Sequence, residues 1–86
     1  MTAAEEITMR LQAAFAPDAL EVINESHKHA GHAGDDGSGE SHFRVVIRAG
    51  AFAPMTRIER HRAVHAALGP TLVGRIHALA LDVSQP

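Results

Sequence analysis

Imidazole is the reactive group this chain holds in surplus. It has seven histidines and no cysteine. Four of the seven fall in HKHAGHAGDDGSGESH, residues 27–42, together with four glycines and no apolar residue larger than alanine. Histidine changes charge near neutral pH, and its neutral ring is a common metal ligand. On residue types alone this stretch reads either as a solvated polar loop or as a set of metal ligands. His61 and His65 are one helical turn apart, a spacing that can also chelate. A structural reading is preferred for them, because both are expected beside Ile58, Val64 and Leu68 on a packing face. His77 stands alone, and strand parity with Leu79 and Leu81 suggests a partly buried ring.

The absent cysteine removes whole classes of chemistry. There is no thiol nucleophile, no cysteine-based zinc site and no iron–sulfur site the chain could complete unaided. No disulfide can brace the fold, and MTAAEEITMRL is acidic where a secretory leader would be basic. Both features suit a reducing cytoplasm. No apolar run approaches the roughly 20 residues that cross a bilayer. Eight basic residues against ten acidic ones make a poor footprint for generic nucleic-acid binding. The formal charge of −2 would rise as the histidines protonate. Phe15, Phe43 and Phe52 are the only aromatic residues apart from histidine, and the core has prior use for them. Catalysis has little support. Ser26 and Ser41 lie near histidines, but neither stands in a nucleophile-elbow context, and 86 residues leave little room for a pocket that excludes water.

The elements that must position these groups can be read in order. Thr2 and Glu5 have capping-box spacing, so a helix follows, with Ile7, Leu11, Ala14 and Phe15 on one face and an end at Pro17–Asp18. Residues 20–26, LEVINES, form a strand with Leu20 and Val22 on one side. After a His/Gly-rich loop at about 27–41, HFRVVIR forms a second strand. Phe43, Val45 and Ile47 point inward; His42, Arg44 and Arg48 point outward. The loop is long for a hairpin, so it is either functional or poorly ordered. Thr56 and Glu59 make a second capping box for a helix through about Leu68, stopped by Gly69 and Pro70. Residues 75–81 form the last strand, followed by a short polar tail. The order α-β-β-α-β in one domain, residues 1–86, predicts an α+β fold. Its three-stranded mixed sheet is covered on one face by helices, with the third strand parallel to the second through a right-handed crossover.

Three segments in this order, LEVINESHKHA, ESHFRVVI and RHRAVHAAL…IHALAL, resemble the BolA family over about residues 5–82. SHF at the second strand, RHR in the second helix and HALAL in the last strand recur at the family's spacings. The resemblance implies a class II KH-like fold. Phe43 and His61 belong to these motifs, with His61 expected to orient the helix start. One departure is FAP at residues 52–54, where members usually have Phe-x-Gly; proline fixes φ where glycine leaves it free.

The resemblance also implies a role. BolA-like proteins are associated with monothiol glutaredoxins, and the pair holds a bridging [2Fe–2S] cluster with thiolates from the partner and its glutathione. Carried over residue by residue, the last-strand ligand is His77. The loop ligand is His29, three residues after NES, or its rival His32. The loop glycines would let either approach His77, and the tip at about 34–39 is expected to be poorly ordered. The expected protein is a non-enzymatic, cytoplasmic adaptor, monomeric and without cofactor when alone. The alternative is a DNA-binding regulator of the stress and morphology response, using Arg57, Arg60 and Arg62 in the second helix. The sequences GHAG and GDDG are no KH signature: they lie between strands, and Asp35 and Asp36 would repel phosphate.

Overall fold

A computed structural model describes residues 2–26 and 41–86. Helix α1 (Ala3–Phe15) leads into strand β1 (Ala19–Asn24). Strand β2 (His42–Arg48) is followed by a 3-10 turn (Gly50–Phe52), helix α2 (Arg57–Leu68), a short helix α3 (Pro70–Gly74) and strand β3 (Ala78–Ser84).

Both helix starts follow from local chemistry. Thr2 and Thr56 each accept the N–H of the residue three along, and Glu5 and Glu59 each accept the threonine N–H in return. Two otherwise orphaned donors are satisfied at each end. These hydrogen bonds from Thr2 and Thr56 also hold the Glu5 and Glu59 carboxyls below the usual carboxylate range. Helix α1 closes on Ala16, which adopts the left-handed conformation at φ 44° and donates its N–H to the Gln12 carbonyl.

Strand β2 is the centre of the sheet. It pairs antiparallel with β1, Leu20 opposite Ile47, and parallel with β3, Val45 opposite Leu81. Period-two alternation then sorts the side chains. Phe43, Val45 and Ile47 are buried, flanked by Leu20 and Val22 of β1 and by Leu79, Leu81 and Val83 of β3. Onto this face pack Ile7 and Leu11 of α1, Val64 and Leu68 of α2, and Leu72 of α3. Each such side chain contributes about 1.5–3 kcal/mol relative to exposure. The other face carries cross-strand ion pairs. Arg44 meets Glu25 at 3.2 Å, and Arg48 meets Asp82 at 3.2 and 3.3 Å. The expected two-layer α+β arrangement is therefore observed, with the predicted strand directions, and it is compatible with the class II KH-like reading.

Several expectations need correction. Gly69 and Pro70 do end α2, but Pro70 also opens α3. Proline at the first helical position forfeits only an N–H that would be orphaned anyway. Gly69 makes the break at φ +85°, a conformation that L side chains rarely adopt. The chain from 70 to 76 is thereby consumed by α3 and its closing turn, where Arg75 and Ile76 donate to the Leu72 and Val73 carbonyls. Strand β3 consequently begins at Ala78, not at residue 75, and Asp82–Ser84 are strand rather than tail. Ala14 is exposed on α1, where Ala3 joins Ile7 and Leu11 instead.

The packing face of α2 also differs. Ile58 is 63% exposed and His65 is exposed, while His61 is half-buried. Helix geometry explains this. At about 100° per residue, Val64 and Leu68 lie about 40° apart, whereas Ile58 is about 120° from Val64. Hydrophobicity at Ile58 suggested a wider face than two buried residues define. The FAP departure is accommodated: Phe52 is fully buried, its ring centroid 4.7 Å from that of Phe15, and the Ala53 N–H donates to the Gly50 carbonyl.

Candidate functional site

His77 lies in the turn just before β3, and its side chain is exposed. Its backbone is anchored: the His77 N–H donates to the Ser41 carbonyl at 2.9 Å, and the Ala78 N–H shares that acceptor at 3.1 Å. The partly buried ring expected from strand parity is thus not what is found, because the residue precedes the strand.

His42 opens β2 beside it. By register it shares the side of Arg44, yet it is only 6% exposed. The Ser41 hydroxyl lies 2.8 Å from His42 Nδ1, and the His77 ring centroid is 5.2 Å away, tilted by 52°. The outward placement expected for His42 therefore does not bring exposure.

The corner is closed by Ser26, itself buried. Its Oγ accepts the N–H of Ser41 at 2.9 Å and the N–H of His42 at 3.1 Å. The Ser26 N–H donates to Asn24 Oδ1 at 2.9 Å, and the Glu25 N–H to the His42 carbonyl at 2.8 Å. The end of β1, the start of β2 and the entry to β3 thus converge on one hydrogen-bonded knot. Among the described residues no buried side-chain nitrogen or oxygen lacks a partner.

Among the described residues this corner offers two imidazoles, those of His77 and His42. Among the described residues no three histidine, aspartate or glutamate side chains gather as a metal site. His29 and His32, and the tip at 34–39, lie outside the described residues. The donor set at the corner suits a group whose other ligands come from elsewhere. An iron–sulfur centre with thiolates on one iron and imidazole on the other is such a group. Ser26 and Ser41 do not act as nucleophile candidates in this reading; they are backbone and ring supports. Their real signal was their position, one serine at each end of the His/Gly segment.

The α2 cluster divides. Arg60 is half-buried, and its Nε donates to the carbonyls of Phe52 at 3.0 Å and Met55 at 3.1 Å. Through Nε it ties α2 to the 3-10 turn. Arg57 and Arg62 are exposed, and the Glu59 carboxylate caps the helix among them. Phe43 is buried on the inner face of β2, as the alternation of the strand implied. On the far side of α1, Glu6 accepts from Arg75 at 2.6 Å and pairs with Arg10 at 3.3 Å. The Arg75 hydrogen bond, more than the charge of Arg10, holds the Glu6 carboxyl below the usual range.

A protein-family model described as BolA-like protein matches residues 11–86. The chain belongs to the BolA family. It is 52% identical over 87 residues to an uncharacterized protein in the cobS 5' region of Sinorhizobium sp, covering all of this chain and 94% of that one. It is 42% identical over 77 residues to the DNA-binding transcriptional regulator BolA of Escherichia coli, covering 90% of this chain and 70% of that protein. BolA-like protein 1 of Mus musculus is 42% identical over 80 residues, 93% of this chain but 56% of the mouse protein. The BolA domain of SufE1 from Arabidopsis thaliana superposes with a TM-score of 0.84 at 30% identity, covering all of this chain and 94% of that one. Among the described residues of this BolA-family chain, no helix is long and apolar enough to cross a membrane.

The division of the α2 arginines has a measurable consequence. Arg60→Ala is expected to lower unfolding stability by about 1–2 kcal/mol, because two carbonyls lose a charged donor. Arg62→Ala should stay within about 0.5 kcal/mol of the parent. Urea denaturation of the two variants side by side makes the comparison.

Proposed function

We propose that this BolA-family chain is a non-enzymatic adaptor. It binds a monothiol glutaredoxin with its glutathione and helps to hold a bridging [2Fe–2S] cluster, in cluster trafficking or iron and redox sensing. It acts in the cytoplasm, and alone it is a monomer without cofactor. His77 and either His29 or His32 supply the imidazoles, and the partner supplies the thiolates.

The observation that carries this reading is the exposed His77 ring on a backbone anchored to Ser41. A ligand must be accessible to a second protein and still be held in place. His29 is three residues from Ser26 in the sequence. The lack of cysteine supports a shared cluster over a resident one. The BolA domain of SufE1 supports a modular role for this fold. When bound, the cluster would supply electron-transfer and sulfur chemistry; the chain's own contribution is to present neutral imidazole. Ligation requires deprotonated rings, so binding weakens in mild acid.

The test mixes the protein with cluster-loaded monothiol glutaredoxin and follows visible circular dichroism and complex size. A heterodimer with a changed spectrum is expected. His77→Ala should shorten cluster retention while the unfolding midpoint of the free protein barely moves. A mixture with neither a spectral change nor a heterodimer would overturn the reading.

A second reading, DNA binding through α2, is favoured by the exposed Arg57 and Arg62 and by the name of the Escherichia coli relative. It is weakened by the engagement of Arg60 with backbone carbonyls. If it holds, the paired change Arg57→Ala, Arg62→Ala removes two phosphate contacts. The log–log salt slope of binding should become shallower by about 1.8. An unchanged slope in a DNA-binding titration would count against α2 as the contact surface.

A further inference from the structure

We propose that Ser26 is the positioning residue for His77, acting through Ser41; this deepens the adaptor reading and rests on it for its purpose. His77 sits outside the regular strand, so the pairing that holds β3 does not by itself fix it. Two contacts do. One is the hydrogen bond from its own N–H to the Ser41 carbonyl at 2.9 Å, seconded by the Ala78 N–H at 3.1 Å. The other is the approach of the His42 ring, centroid to centroid 5.2 Å.

Both contacts lead back to Ser41. Its carbonyl is the backbone anchor, and its hydroxyl, 2.8 Å from Nδ1, sets the orientation of the His42 ring. Ser41 in turn lies immediately before β2, at the open end of the sheet. Its N–H and that of His42 are both taken by the Ser26 hydroxyl, at 2.9 and 3.1 Å. Ser26 is 15 residues away in sequence from Ser41, so this is a tertiary clamp and not a local turn. One buried oxygen accepting two consecutive N–H groups fixes the orientation of the intervening peptide. That orientation decides where the Ser41 carbonyl points, and hence where His77 stands.

The arrangement has the logic of supports around a ligand: groups that never touch the bound species hold the residue that does. Disturbing such supports typically lowers affinity by about 10–100-fold. Ser26 is a serine because the site needs a small acceptor. Alanine removes the acceptor that the two N–H groups share. Nothing in this chain of contacts uses the chemical reactivity of the hydroxyl.

The experiment compares Ser26→Ala with the parent, first free and then with cluster-loaded monothiol glutaredoxin. In the free protein, the amides of Ser41, His42 and His77 should exchange faster, and the ring resonances of His77 should move toward random-coil shifts. The amides of Val45 and Val64 should be unchanged. In the complex, cluster loss followed by visible circular dichroism should be about 10-fold faster or more. Should Ser26→Ala fail to fold, Ser26→Cys, which keeps the side chain's shape but is a weak acceptor, is read in the free protein by the same amides and ring shifts; Ser41→Ala, which keeps the clamp, should leave those amides protected. Unchanged His77 ring shifts in the free variant overturn the inference. So does a variant complex that keeps its cluster as long as the parent. If the parent complex itself holds no cluster, the adaptor reading fails, and the free-protein measurement still decides whether Ser26 positions His77.

Discussion

The Ser41 peptide is the joint on which this domain turns. Its N–H and that of His42 are held by the Ser26 hydroxyl, and its carbonyl holds His77 and Ala78. The end of β1, the start of β2 and the entry of β3 are therefore locked at one point. Because β2 is the central strand, this point lies beside the first pairs of both ladders, Asn24 opposite Phe43 and His42 opposite Ala78. A buried polar knot of this kind is costly when incomplete and rigid when every member is satisfied. Here the satisfaction is complete among the described residues. The corner where the exposed imidazole stands is thus held rigidly.

The helical layer has a different task. Ile7, Leu11, Val64, Leu68 and Leu72 close one face of the sheet over Phe43, Val45 and Ile47. Capping boxes at Thr2 and Thr56 start the two long helices where the chain needs them. Arg60 then ties α2 to the connector that carries Phe52 into the core. An arginine used in this way is also a structural tie.

What the sequence made legible was local. Both capping boxes, the alternation of β2 and the order of the main elements depend on neighbouring residues, and all are found. Features that depend on tertiary context were not legible. Pro70 carries the same letter whether it stops a helix or starts one, and only the space for Leu72 in the core decides. Ile58 looked like a core residue because it is apolar; two buried residues further along set a different face. His42 follows outward parity, yet the Ser41 hydroxyl and the His77 ring enclose it. The clamp itself was hidden because a serine's hydrogen-bond partners cannot be read from its neighbours. At the site, His77 came from the family resemblance and not from its parity, which pointed to a buried ring. The separation of His77 from regular strand follows from the insertion of α3.

An adaptor without cysteine contributes geometry and imidazole nitrogen, and leaves thiolate chemistry to its partner. The most direct test of that division is electron–nuclear double resonance on the reduced heterodimer, with this chain labelled with 15N-histidine. Direct nitrogen coupling to the cluster, with one contribution missing in His77→Ala, is the expected result. A cluster that couples to no histidine nitrogen, or an identical coupling in the variant, would contradict the account.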